Sequence, residues 1–458
     1  MLRMTSKSQE YTIFAAGVLL LAASIGIGIP LDIRVIYIVS VPFAFFMIMY
    51  GVRDKRIFPV LLILALGLEQ LQFGESGGLF TLSKLGGAAL FILYLWTHRR
   101  SITQTGKASL HVMHQFLLQV LFVLYMALTA LWSPNPSAAI VQLSTFILLL
   151  FLTWIIANFV SHPKHVTYFT HAFVIYGTVL ALFALIEFQN LSYNAISEYQ
   201  SFRASSISKN PNISAMYMVI SFAIVTSLIG HNNSIPMNIS FIAILIIITA
   251  GILSTASRGG ILASIFVLIL SLVFTYNRKR SVLTILFTAI IVVVILTRFP
   301  DYHRILVARL YGQTSDLTGF RLELIDVAIE YFSERPINGI GLGGFRYYNP
   351  AITSKVPHNT YMGLLAETGM IGFILFSSLF IMALRNIYCA WKLCFELHLD
   401  VRIQAAMRAI LLSLLGMMVL LFFGDGSDDK MLWVLLGLAQ MSHFVVNSYR
   451  RPTKISQS

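Results

Sequence analysis

Apolar runs close to twenty residues long recur along nearly the whole chain, separated by polar stretches that are mostly short. Such runs match the hydrocarbon thickness a helix crosses at about 1.5 Å per residue. A spanning barrel would show short strands alternating apolar and polar positions, and that alternation is not seen. The pattern predicts an all-α polytopic membrane protein with about fourteen transmembrane helices. They fall at about 11–29, 34–51, 57–72, 79–97, 112–131, 138–160, 166–188, 211–230, 237–254, 260–276, 282–298, 358–383, 403–423 and 431–448. Merging weak spans, such as the short third, lowers the count to about twelve. The chain then divides into helices 1–11 over 1–298, a large loop over 299–357, and helices 12–14 over 358–458.

Composition narrows this picture. With 57% hydrophobic and 11% charged residues, the chain cannot supply the charged surface of a soluble domain. The net charge of +13 does not point to nucleic acid, because no such motif accompanies it. Much of it sits in one set of loops, including "GVRDKR", "THRRSITQTGK", "SHPKH" and "YNRKR", and in the tail "YRRPTK". The alternate loops "GESGG", "WSPNPS" and "GDGSDDK" are nearly free of basic residues. That asymmetry predicts both termini in the cytoplasm, and the lack of a clear small-x-small cleavage site near the start predicts an uncleaved first span. The two cysteines, Cys389 and Cys394, imply no disulfide framework or four-thiol metal site.

Two outer loops break the charge rule. One precedes helix eight, with Arg203 and Lys209; the other is the 299–357 loop, rich in arginine. Within it, Leu322, Ile325, Ala328, Ile329 and Phe332 recur at helical spacing and predict an amphipathic helix along the membrane surface. Gly341, Gly343 and Gly344 lack the flanking strand and helix of a dinucleotide loop.

Candidate chemistry collects on this side. Arg258, in "SRGG", falls where helix nine gives way to helix ten, and its two glycines leave room for a ligand at a helix N-terminus. Arg321 opens the amphipathic helix; an ion pair with Glu323 or Asp326 is its ordinary alternative. Arg203 precedes Asn210 and Asn212, which read as turn and cap residues. His358 immediately precedes a helix capped by Asn359 or Thr360, and an imidazole exchanges protons near neutral pH. Guanidinium forks match phosphate oxygens, so arginines from several loops plus one histidine suit a lipid pyrophosphate. No acidic cluster with metal-ligand geometry is evident in the histidine loop; no metal or cofactor is expected. Asp425, Asp428 and Asp429 read as a solvated loop, and Glu367 as a structural residue satisfied by a polar neighbour.

At these residues the sequence resembles the O-antigen ligase and O-antigen polymerase superfamily. The pieces are "SRGG" at 257–260, "TGFR" at 318–321, "ERPINGIGLGGF" at 334–345 and "HNTYMGLLAETGMIGFILF" from 358, with "KNPN" at 209–212 as a weaker match. They cover about the second half of the chain. The resemblance implies a metal-independent, inverting glycosyltransferase of the bacterial inner membrane, acting at the periplasmic face. It implies an undecaprenyl-pyrophosphate-linked oligosaccharide as donor. The acceptor would be a glycolipid, either a lipid-linked repeat unit or lipid A-core, with a chain-length regulator as a further partner and membrane lipids around it. It implies essential roles for Arg258, Arg321 and His358. Arg203 and Asn212, with Asn359 and Tyr361, complete the expected substrate-binding set.

Polymerase is the expected member, because about fourteen spans resemble the polymerases more than the ligases. Ligase is the alternative. A lipid-linked glycan flippase is a third class; it would need ionisable residues deep within helices, where Glu69, Glu187 and Glu367 are too sparse for a relay.

Overall fold

A computed structural model describes residues 56–67, 110–194, 203–206, 210–230, 235–275, 277–303, 307, 315–348 and 356–450. The predicted spans at 11–29, 34–51 and 79–97 lie outside the described residues. The helices are α1 Phe58–Gly67, α2 Leu110–Thr129, α3 Pro136–Phe159, α4 Pro163–Asn194, α5 Pro211–Leu228, α6 Ile235–Ser254, α7 Arg258–Val273, α8 Arg278–Arg298, α9 Ser315–Glu334, α10 Phe345–Tyr348, α11 Thr360–Glu396, α12 Val401–Leu420 and α13 Lys430–Asn447. Among the described residues, nine helices are long and apolar enough to cross a membrane; Phe58–Gly67 and Arg258–Val273 are shorter apolar helices.

Local sequence sets many of the helix starts. Asn135, Asn210, Ser257, Asn277, Asn359, Asp400 and Asp429 each precede a helix and accept a hydrogen bond from one of its first amides. Such a cap contributes about 1 kcal/mol, because the first amides of a helix have no partner within it. Pro136 and Pro211 open α3 and α5, where a missing N–H costs nothing.

Burial separates centre from rim. The spanning window of α5 is 83% buried and that of α8 only 22%. α5 packs against α4, α6, α7 and α12, whereas α8 turns Leu283, Leu286, Ile290 and Val293 outward. An apolar helix with so little protein around it has its outward face suited to lipid.

Two elements differ from the sequence reading. α11 runs to Glu396, well past the expected end near 383, because Ala383, Ile387, Ala390 and Cys394 continue its buried stripe. Arg385 and Lys392 lie on its exposed face, which made this extension read as a basic loop. In α9 the buried residues are Leu324, Ala328 and Tyr331, while Leu322 and Ile329 are exposed. The helix carries two apolar stripes, and periodicity alone does not say which one packs.

α11 is also broken. Gly369 sits at φ 63, ψ −165, a conformation open to glycine alone. The segment after α9 threads through this break. Ile340 N donates to Ala366 O (3.0 Å), Gly341 N to Glu367 O (2.9 Å), and Met370 N to Pro336 O (2.8 Å). A Cβ on Gly339 would lie 2.4 Å from the Glu367 backbone, and one on Gly369 would lie 2.4 Å from Ile337 O. The glycines of "NGIGLGG" therefore serve close backbone approach.

Candidate functional site

Four chain segments meet at the end of the bundle where α5, α7, α11 and α13 begin. Arg203 Nε donates to Thr255 O (2.9 Å) and its Nη2 to Asn212 Oδ1 (2.6 Å). Ser257 Oγ donates to the same Asn212 oxygen (3.1 Å), so one amide ties the Arg203 turn to the residue before Arg258. Ala256, at φ 47, makes the tight turn into α7. Beneath, Ala204 and Ala256 are buried together with Phe188, Ile291 and Tyr302. Glu187 fastens the neighbouring turn, accepting from Ser205 N (2.9 Å) and Oγ (3.0 Å) and from Ser206 N (2.6 Å).

Arg321 stands on the buried face of α9, one turn before Leu324, whose cluster includes Ala328, Tyr331, Phe345 and Ala366 of α11. Burial, and then the positive charge of Arg258, push the Arg321 guanidinium below its ordinary range. Two cations thus face a common, partly desolvated space. An anion placed between them is attracted to both.

His358 sits at φ 49, a strained conformation for a residue with a Cβ, and is partly buried. The residues after it lock this bend. Asn359 accepts from Tyr361 N (3.0 Å) and Met362 N (3.2 Å). Thr360 Oγ1 donates to Gly424 O (2.8 Å) and accepts from Gly426 N (3.0 Å). Tyr361 donates to Met418 O (3.0 Å). The same 421–426 turn presents Phe423 to Gly259, where an added Cβ would lie 2.6 Å from the phenylalanine side chain. Thr360 and Gly259, close neighbours of His358 and Arg258 in the chain, are therefore both built against one turn.

This alters two sequence expectations. The glycines after Arg258 do not open space for a ligand, because Phe423 and Ala215 occupy it. Arg203, Asn212, Asn359 and Tyr361 each spend side-chain atoms on the protein itself, so the contacts that they show are positioning contacts.

The sequence reading missed an adjoining cavity of about 250 Å³, lined by Gln142, Arg346, Pro357, Glu367, Asp425 and Asp428. Pro357 and Thr360, on either side of His358, both line it. Glu367 Oε1 accepts from Phe345 N (3.1 Å), so its polar neighbour is backbone. Asp425 is exposed at the cavity, and surrounding protein and then Asp428 raise its pKa, against the opposing charge of Arg346. Asp429 is not a solvated loop residue: it caps α13 through Leu432 N (3.0 Å) and accepts from Tyr217 OH (2.7 Å). Its position directly before an apolar run was the available signal for the cap. Among the described residues, no group of three or more His, Cys, Asp or Glu side chains is arranged to hold a metal ion.

The segments that bring Arg258, Arg321 and His358 to this end lie in one continuous stretch. Residues 242–377 match the O-antigen ligase family model. That stretch, less than half of the chain, is similar to the O-antigen ligase family. The matched O-antigen ligase region contains Arg258, Arg321, His358 and Glu367; Arg203, Asn212 and the 425–429 acids lie outside it. A search of curated proteins gives no match to the chain.

Proposed function

We propose that this protein transfers a glycan from a polyprenyl pyrophosphate to a sugar hydroxyl, with Arg258, Arg321 and His358 as catalytic residues. The observation that carries the reading is the approach of Arg258 to the partly buried Arg321, with Gly259 and Thr360, close to Arg258 and His358 in the chain, packed on one turn. An acceptor hydroxyl attacks the anomeric carbon on the face opposite the pyrophosphate. The C–O bond to the diphosphate breaks, its electron pair leaves with the phosphate oxygen, and the hydroxyl proton passes to His358. The configuration inverts. The two guanidiniums stabilise charge as it grows on the leaving group, each worth about 3 kcal/mol when well aimed. In this reading they take the place of a metal ion.

The acceptor sugar occupies the neighbouring cavity. Its polar lining of Gln142, Arg346, Asp425 and Asp428 suits sugar hydroxyls, which both donate and accept. Arg203 and Asn212 hold the Arg258 turn in register, and Asn359 and Tyr361 hold the His358 bend. The site faces the periplasm, both termini lie in the cytoplasm, and residues 299–357 form the outer loop with α9 along the membrane.

The acceptor we favour is a second lipid-linked repeat unit, which makes the protein a polymerase. The family description at residues 242–377 favours the other reading, a ligase that uses lipid A-core. Purified protein given lipid-linked oligosaccharide and each acceptor in turn decides between them. Undecaprenyl pyrophosphate should be released, and EDTA should leave the rate unchanged. Loss of activity in EDTA with recovery on added magnesium would overturn the role given to the arginines. Unchanged lipid-linked oligosaccharide moved across the bilayer would point to a flippase.

A further inference from the structure

The opposite end of the bundle contains a second arginine-lined cavity. α7 begins at Arg258 and runs for 16 residues, so its far end lies roughly 24 Å from the candidate site. There, between the end of α7 and the starts of α8 and α12, a cavity of about 170 Å³ is lined by Arg280, Trp391, Phe395, Val401, Ala405 and Arg408, among others. That exceeds several times the roughly 30 Å³ share of one liquid water.

Arg408 is the unusual member. It is only 6% exposed, on a helix long and apolar enough to span a membrane. Its Nη2 donates to Ser271 O (2.9 Å) and Ser281 Oγ (3.3 Å), so one edge of the fork closes the last turn of α7. The guanidinium is still short of acceptors: its Nε is buried without a hydrogen-bond partner. A buried guanidinium needs its remaining donors matched by an acceptor, and an anion matches them best. Among the described residues, Glu396 and Asp400 at this end are engaged elsewhere. Glu396 pairs with Arg450 (2.6 Å), and Asp400 caps α12 through Arg402 N (2.9 Å).

The walls say what kind of anion. Trp391, Phe395, Val401 and Ala405 give the cavity an apolar side, next to the guanidiniums of Arg408 and Arg280. A free phosphate leaves that side unused. A lipid headgroup uses both, with its phosphate on the arginines and its glycerol end against the aromatic rings. We propose that this cavity binds the phosphate of an anionic phospholipid, gripped by Arg408 and Arg280 on the membrane face opposite His358. The inference does not rest on the proposed reaction.

The test uses the purified full chain in neutral detergent, followed by its thermal unfolding midpoint. Dioctanoylphosphatidylglycerol, dioctanoylglycerol and inorganic phosphate are titrated separately. The expected result is a saturable rise with dioctanoylphosphatidylglycerol alone. Arg280→Ala, an exposed change that leaves the fold intact, should shift half-saturation upward about tenfold, the loss of one charge-assisted contact. Arg408→Lys retains the charge without the fork and should also bind about tenfold more weakly. Arg402→Ala, an exposed cation outside the cavity lining, should respond as the wild type does. An equal rise with dioctanoylglycerol, or an unchanged titration in Arg280→Ala, overturns the proposal. A rise with inorganic phosphate that Arg280→Ala abolishes overturns the lipid assignment.

Discussion

The two ends of α7 handle arginine in contrasting ways. At its start, the charge of Arg258 adds to burial in pushing the Arg321 guanidinium below its ordinary range. At its end, Arg408 lies against Ser271 O, a carbonyl of the last turn that the helix itself cannot satisfy. Arg408 is thus partly explained by structure, as a cation at the negative end of a helix dipole. Arg258 is placed differently: it is a cation at a helix start, where the dipole opposes it, and it lies near a second cation. In the proposed reading the diphosphate lies between these two cations, and the Arg258 end is the reactive one.

The contrast can be broken most severely at the two facing arginines. Arg258→Lys and Arg321→Lys should each lower turnover of lipid-linked oligosaccharide by at least about a hundredfold, because an ammonium cannot make the two-pronged contact. Unfolding midpoints should change little. Wild-type turnover in either variant removes that residue from the site.

The next effect concerns the break in α11. Gly369→Ala places a Cβ against Ile337 O in a backbone conformation reserved for glycine, at a cost of about 1–3 kcal/mol or more. The unfolding midpoint should drop, and activity should fall with it, since the broken helix carries His358 at its head. An unaltered midpoint would show that the threaded segment does not need this glycine.

A smaller change sharpens the role of the bend. Asn359→Ala removes the cap of α11, worth about 1 kcal/mol, and loosens the residue after His358. Turnover should decline more than substrate affinity does, as judged by kcat against KM. Asn359→Asp, which still caps, should recover most of it.

The smallest expected effect is one of pH. Burial pushes the Asp429 carboxyl up to about 6, from 3.8 in an unfolded chain. Between those values the folded state holds more protons, so this contribution to stability is full below the unfolded value and fades as pH rises through about 6. The unfolding midpoint should therefore fall as pH is raised from about 4 to 7, and Asp429→Asn should flatten that slope. The same slope in the variant would assign it to other groups.

How much of this could be read from sequence follows from distance along the chain. Spans, caps and the arginine–histidine set are written in local runs, and α2 to α8 begin within a few residues of the expected positions. The bond between Asn212 and Ser257 joins residues 45 apart, and that between Tyr217 and Asp429 joins residues 212 apart. No local pattern encodes such pairings. The long tail of α11 was hidden for a related reason: Arg385 and Lys392 look like a loop until the buried stripe between them has a partner to face. The acidic cavity went unread because it draws on α3, the segment around α10, α11 and the turn before α13 together.

The central claim is that Arg258 and Arg321 grip one diphosphate, and a double-mutant cycle of undecaprenyl pyrophosphate binding tests it directly. Affinity is measured for the wild type, Arg258→Gln, Arg321→Gln and the double variant in one detergent. Each single change should weaken binding at least tenfold, and the double change should weaken it far less than the product of the two. Full multiplicative losses, or wild-type affinity in either single variant, would contradict the shared site.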